Sequence, residues 1–341
     1  MTSWLDAPIF FGGHRKSGTT LLLNLFDQHP QLCVFPPDSG FFYAWYPRWD
    51  SDANTDEEKI QRVADVMFGN FVRDLEKLPS FTGTFDRAPL DALLRERLQG
   101  APLTPANVLR STISAFHEAT AVSGSSADAP APRGWIEKTT STEIYAAEIF
   151  TWFPNARFVH LVRDPRDNYG SLKSGWNARY HEHNDEEARL LQSMLDRGVL
   201  GLRMARANAE RFGADRYRVV RYEDLVTAPE ATLRELCAFM RVDFVPSLLE
   251  PTYHGLPWPG NNFEGRTFTA PSSVNVDRWR ERITPHDAAV IEFHAGDLMR
   301  SFGYETAYSL EDQADAAREH YKWHNFAQQF SVVSGATTYA T

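Results

Sequence analysis

Apolar positions along this chain fall into two alternating patterns: short continuous runs, and longer stripes at helical spacing. The run Ile9-Phe10-Phe11, closed by Gly12-Gly13, reads as a buried parallel strand. Leu21, Leu22, Leu25 and Phe26 then recur at the 3.6-residue period, and His29-Pro30 stops that helix. Gln31 to Phe35 forms a second strand, ended by Pro36-Pro37, and an aromatic loop follows from Asp38 to Pro47. Ala156 to Val162 and Tyr217 to Tyr222 supply two further strands. Helices are expected from Thr142 to Trp152, from Asp164-Pro165 to about Trp176, from Glu186 to Phe212, from Pro229 to Met240 and from Pro285 to Phe302. Asp164 is placed as the N-cap of its helix, with Pro165 at the first helical position. Gly134 to Thr140 reads as a lead into the helix at Thr142.

Strands alternating with helices predict an α/β fold with a parallel sheet covered on both faces. Ligands in such sheets sit beyond the carboxyl ends of the strands, where Lys16, Asp38 and Arg163 all fall. Residues from about 50 to 133 carry helical stripes (Ile60, Val63, Met67, Phe71; Leu90, Leu94, Leu98; Val108, Leu109, Ile113, Phe116) punctuated by prolines. They read as a helical insertion, either a cover for an acceptor site or an ordinary helical layer. Ser123 to Arg133 reads as a loop. The expected organisation is one domain over residues 1–303, with residues 304–341 as an extra helix and tail.

The chemistry centres on His14-Arg15-Lys16-Ser17-Gly18-Thr19-Thr20. Strand, glycine loop and helix start, in that order, make an anion site: unpaired N–H groups and the helix dipole face a ligand that glycine lets approach. Gly13 and Gly18 have the spacing of the nucleotide-triphosphate loop, but Thr19 stands where that loop has lysine, and the cation has moved back to Lys16. A second pair, Arg163 and Ser171, is spaced to bring a guanidinium and a hydroxyl onto one phosphate. Read alone, Arg163 beside Asp164 and Asp167 is more often a helix-start ion pair; its order and separation from the first loop favour the phosphate reading.

These segments resemble the sulfotransferases that use 3′-phosphoadenosine-5′-phosphosulfate (PAPS), closest to the bacterial and tyrosylprotein branch. The resemblance covers roughly residues 8–40 and 134–300. It implies a P-loop-type three-layer α/β/α fold and transfer of a sulfuryl group to an acceptor hydroxyl (carbohydrate, lipid or natural product, or tyrosyl), releasing 3′-phosphoadenosine-5′-phosphate (PAP), with no metal. By resemblance, Arg15, Lys16, Ser17, Gly18, Thr19 and Thr20 hold the 5′-phosphosulfate, and Arg163 and Ser171 the 3′-phosphate. Tyr222 approaches the nucleotide, and Arg266 and Ser273 close a loop over the 3′-phosphate. Lys16 and Lys138 are the cations near the transferred group. Asp38, where the branch carries glutamate, is the expected general base, with burial among the following aromatic residues raising its pKa. His14 and His117 are the alternative bases. A nucleotide-dependent kinase and a non-catalytic nucleotide-binding protein are the competing readings.

Composition narrows the setting. In 341 residues, 43% hydrophobic and 23% charged, the formal net charge is −10, which disfavours nucleic acid as a partner while allowing a local basic pocket. Two cysteines, Cys33 and Cys237, both in apolar surroundings, read as buried thiols. No apolar run approaches the ~20 residues of a membrane span and no signal peptide precedes the first strand, so a cytoplasmic location is expected. The expected partner is a small-molecule, glycan or tyrosyl acceptor; the oligomeric state, including a homo-oligomer, stays open.

Overall fold

Five parallel strands carry the fold: β1 (Pro8–Gly12), β2 (Leu32–Val34), β3 (Gly134–Lys138), β4 (Arg157–Val162) and β5 (Tyr217–Arg221). They form one sheet in the order β2-β3-β1-β4-β5, with β1 at its centre. The computed structural model describes residues 3–51, 54–120, 130–175 and 187–322. Parts of the Ser123–Arg133 loop, the helix boundaries near Trp176 and Glu186, and the tail from 323 onward lie outside the described residues.

The sheet is buried on both faces, which is why its strands read as apolar runs rather than alternating patterns. Phe10, Trp135, Phe158 and Tyr217 point into one core, and Ile9, Phe11, Ile136, Val159, Leu161 and Val220 into the other. The second core is covered by α1 (Thr19–Leu25), through Leu22, Leu23 and Leu25, and by the helix Pro229–Met240, through Leu233, Leu236 and Cys237. The first takes the helix Ala146–Trp152 and the helices between β2 and β3.

Those inserted helices, Asp56–Val63, Gly69–Glu76, Ala88–Leu98 and Pro105–Thr120, are a helical layer. Met67, Phe68, Phe71, Leu94, Ile113 and Phe116 join the same core as the sheet residues. Asn70 of this layer donates to the Asp38 carbonyl at 3.0 Å, so the insertion also braces the loop after β2.

The segment Gly134–Lys138 corrects the sequence reading. It is a full strand, not the lead into a helix, and it sits between β2 and β1. All five of its residues are buried, Glu137 and Lys138 included, so neither alternation nor a clean apolar run marks it.

The chain divides into two compact units, one of Met1–Arg163 with Met204–Ser273, the other of Asp164–Arg203 with Val274–Thr341. The whole sheet belongs to the first. In the second, the helices Pro165–Gly175, Pro285–Ser301 and Leu310–Lys322 surround Tyr169, Leu172, Trp279, Val290, Ile291 and Ala316. Asp164 caps the first of these as expected: its Oδ1 accepts the Arg166 N–H at 2.9 Å. Arg166 is buried between Asp164 (2.6 Å) and Glu292 (2.7 Å), which satisfies its guanidinium away from water.

Candidate active site

The site is built on the turn that leaves the centre of the sheet. Gly13 has φ 137°, and a Cβ there would lie 2.3 Å from the Leu161 carbonyl oxygen, so only glycine lets the loop run this close to β4. Two ties fix it: the Gly13 N–H donates to Glu143 Oε2 at 2.9 Å, and its carbonyl accepts from the Ser141 N–H at 2.9 Å. Ser17 folds back onto the His14 carbonyl through both its N–H (3.1 Å) and its hydroxyl (2.5 Å). Gly18, with φ 97°, caps α1 without a side chain, which leaves the first N–H groups of the helix facing the loop. A Cβ at Gly18 would lie 2.5 Å from the Tyr222 ring, so Tyr222 is stacked directly on the loop.

Arg163, at the end of β4, reaches the same turn. Its Nη1 donates to the Lys16 carbonyl at 2.9 Å, and its guanidinium lies 4.4 Å from the Tyr222 ring centroid. Arg163 is only 6% exposed, and within this unit its contacts tie it to the loop rather than to solvent. Asp164 turns its carboxylate to Arg166 instead. Lys16, at φ 67°, extends its ammonium to the Asn261 carbonyl (3.1 Å) and over the Phe263 ring (3.9 Å). The 257–268 loop therefore meets the phosphate loop through Lys16.

A second constellation meets the first turn of α1. Lys138 Nζ lies 2.8 Å from Asp38 Oδ2 and 3.3 Å from Thr20 Oγ1, and the Thr140 hydroxyl donates to the same Asp38 oxygen at 2.8 Å. Lys138 is nearly buried, with a side chain 4% exposed, whereas that of Asp38 keeps 41%. An ammonium and a carboxylate are thus held side by side, the carboxylate open to an incoming group. Burial does push the Asp38 carboxyl up, as the sequence reading expected, but the charge and hydrogen bond of Lys138 and the bonds from Thr140 outweigh it. The carboxyl ends below its ordinary range, which corrects that expectation.

Behind this pair is a residue that the sequence reading missed. Glu137 is 0% exposed; its Oε1 accepts from the Ser39 and Thr139 hydroxyls, the latter at 2.6 Å. Its Oε2 is buried with no hydrogen-bond partner among the described residues. Burial pushes the Glu137 carboxyl up to about 7, with the two hydroxyls opposing and the Asp38 charge adding to the rise. Ser39 directly follows Asp38, so Glu137 fixes the loop that carries the expected base. Glu143, which holds Gly13, was missed for the same reason: a buried carboxylate looks like a solvated one in a bare sequence.

The remaining expected residues fall as follows. Arg15 is exposed, Thr19 is buried at the start of α1, and His14 is buried within the loop. Ser171 is half-buried in the helix Pro165–Gly175 of the second unit. Arg266 pairs with Glu264 at 3.1 Å on the 257–268 loop, and Ser273 is exposed at the start of a short 3₁₀ turn. His117 packs edge-on against Trp4 at 5.2 Å, beside the segment that precedes β1, and so lies by the amino ends of the strands. Asp38, not His117, shares the carboxyl end of the sheet with Lys138.

A phosphate-type loop at the carboxyl edge of a parallel sheet, with cations at the ends of β3 and β4, defines an α/β protein whose candidate site suits an anion. The family model described as "Sulfotransferase family" matches residues 8–246, and the chain belongs to that family. It is 29% identical to carbohydrate sulfotransferase 5 of Mus musculus over 178 residues, which cover 47% of this chain and 45% of that protein. It is 25% identical to the protein-tyrosine sulfotransferase of Drosophila melanogaster over 242 residues, 71% of this chain and 39% of that protein. The chain spans less than half the length of these curated relatives. The sulfotransferase domain of the Synechococcus PCC 7002 olefin synthase shares the fold, with a TM-score of 0.52 at 21% identity over 88% of this chain and 96% of that one.

Proposed function

We propose that this chain moves a sulfuryl group from PAPS to an acceptor hydroxyl. The observation that carries the reading is the Lys138–Asp38 contact at 2.8 Å, set against Thr20 in the first turn of α1. It puts a proton acceptor and a cation together at the place where a phosphate loop presents its ligand. The 5′-phosphosulfate is assigned to the N–H groups of the loop and α1, with Lys16, Thr19 and Thr20. The loop suits such an anion because Gly13 and Gly18 keep the backbone bare.

In the proposed reaction the S–O bond to the donor phosphate breaks as a new S–O bond forms to the acceptor oxygen. The acceptor proton passes to Asp38, and the leaving phosphate carries away the bond's electron pair. The transition state spreads negative charge over the group in flight and the bridging oxygen, so fixed cations supply most of the assistance. Lys16 and Lys138 are assigned that role. Lys138 has a second effect: while it pairs with Asp38 it keeps that carboxyl weakly basic, and once it turns to the sulfuryl oxygens the Asp38 pKa rises. Base strength is thereby coupled to donor binding. Arg163 is assigned to the 3′-phosphate.

The acceptor is proposed to be a sugar, a tyrosyl or a lipid hydroxyl, the classes on which the chain's sulfotransferase relatives act. A cytoplasmic location is part of the proposal, supported by two buried, unpaired cysteines. The test is transfer of label from radioactive PAPS to a panel of sugars, phenols and tyrosyl peptides. Wild-type protein should label at least one class, and Asp38→Asn should lower turnover by about 10²–10⁴-fold with little change in donor affinity. Full turnover in that variant would remove Asp38 as the base.

A further inference from the structure

At the opposite, amino edge of the same sheet is a cavity of about 490 Å³ between the starts of β1, β3 and β4 and the turn before β5. Its wall carries Arg133, Arg157, Arg216 and Arg241 against one carboxylate, Asp215. A second cavity of about 380 Å³ adjoins it, sharing Arg157, Asp215 and Arg241 and adding Arg218 and Glu235. Both volumes lie in the range of small-ligand sites. Five arginines line the two cavities with two acids, and Arg133 also pairs with Asp243 at 3.6 Å, so four arginines face Asp215 and Glu235 in a chain whose formal net charge is −10.

The hydrogen bonding of these arginines is incomplete. The Nε atoms of Arg157, Arg216 and Arg218 are buried and without a hydrogen-bond partner among the described residues. Arg216 still donates to the Pro154 carbonyl at 3.1 Å and lies 4.1 Å from the Phe150 ring centroid. Arg218 sits 5.6 Å from the Phe239 ring centroid. Arg157, the first residue of β4, makes no side-chain hydrogen bond or ion pair among the described residues. Its environment is repulsive: burial and then the Arg241 charge lower its pKa, with Asp215 opposing. Arg241 follows the helix Pro229–Met240, where the dipole of the helix end favours a cation. No such account covers Arg157, which opens a strand. A half-buried guanidinium that faces another cation beside open space, with Asp215 near but in no direct ion pair with it among the described residues, leaves room for an added anion.

We propose that this double cavity is a second anion site, taking a compact polyanion with two phosphate or sulfate groups. Arg157 and Arg241 sit where the two cavities meet, with Arg133 and Arg216 on one flank and Arg218 on the other. The strands between the two edges are five or six residues long, so the site lies about 15–20 Å from the phosphate loop. It therefore binds its ligand separately from the loop at Lys16.

The test is a calorimetric titration with inorganic pyrophosphate of the wild-type protein and of Arg157→Gln, Arg241→Gln and Lys16→Ala. The expected result is wild-type binding with a Kd of about 1 mM or tighter, kept in Lys16→Ala and weakened about tenfold or more in each of the other two. Melting curves check folding, and the exposed Arg241→Gln carries the result if Arg157→Gln does not fold. Absence of binding overturns the proposal, and so does binding that both arginine variants retain or that Lys16→Ala alone removes. Titrating PAP into Lys16→Ala pre-loaded with pyrophosphate separates two sources of the same chemistry. Displacement assigns the site to a nucleotide bisphosphate, and no displacement to a smaller diphosphate or disulfate, both upholding it.

Discussion

The two edges of this sheet treat charge in opposite ways. At the carboxyl edge nearly every buried charge is matched at short range: Lys138 by Asp38, Arg163 by the Lys16 carbonyl, Glu143 by the Gly13 N–H. At the amino edge Arg157 faces Arg241 and finds no hydrogen-bond partner among the described residues. The first arrangement is preorganised; its groups hold one another in place before a ligand arrives, and less reorganisation is then needed during reaction. The second is a receptor whose electrostatics are completed by its ligand. Basic residues alone do not tell these cases apart; a direct short-range partner does, since Arg163 has the Lys16 carbonyl and Arg157 has none among the described residues.

The sharpest way to break the matched edge is at Arg163. Arg163→Ala should weaken PAP binding by about 2–4 kcal/mol, since a charge-assisted contact is lost and the Lys16 turn and Tyr222 lose their brace. Unchanged affinity by calorimetry would make Arg163 a structural residue only. A smaller effect is expected at Glu137 Oε2, an atom of this edge buried without a hydrogen-bond partner among the described residues. The Glu137 carboxyl sits at about 7 in the fold against an ordinary value of 4.5. The folded state therefore holds a proton that the unfolded chain has released, and this contribution to stability falls as pH rises from 4.5 to about 7, then stays low. Glu137→Gln should flatten that slope, by on the order of 1–3 kcal/mol across the window. Parallel melting curves for wild type and variant from pH 5 to 8 would show that Glu137 does not titrate there.

Much of this was legible in the sequence because it is local. The loop from Gly13 to Thr20, the helix after it, the aspartate beyond Pro36-Pro37 and the arginine at the end of β4 all follow from runs, glycines and breakers read in order. The strand β3 was not legible, since a five-residue segment ending in Glu-Lys carries no period, and only its neighbours on both sides bury it. Nor was the partnership of Lys138 with Asp38, which joins positions 100 residues apart, or that of Glu143 with Gly13, 130 apart. The direction of the Asp38 shift was misread because desolvation is suggested by nearby aromatic residues, whereas the opposing ammonium arrives through the fold. The amino-edge arginines were passed over individually, being scattered from Arg133 to Arg241 and gathered only by the strand order.

The most direct measurement is a calorimetric titration of the purified chain with PAP, run beside ATP with magnesium and beside the analogue of PAP that lacks the 3′-phosphate. The proposed function predicts tight binding of PAP, marked loss of affinity without the 3′-phosphate, and weak binding of magnesium-ATP. Preference for magnesium-ATP would contradict the sulfuryl-transfer reading and favour a kinase on the same loop, and binding of neither nucleotide would contradict both.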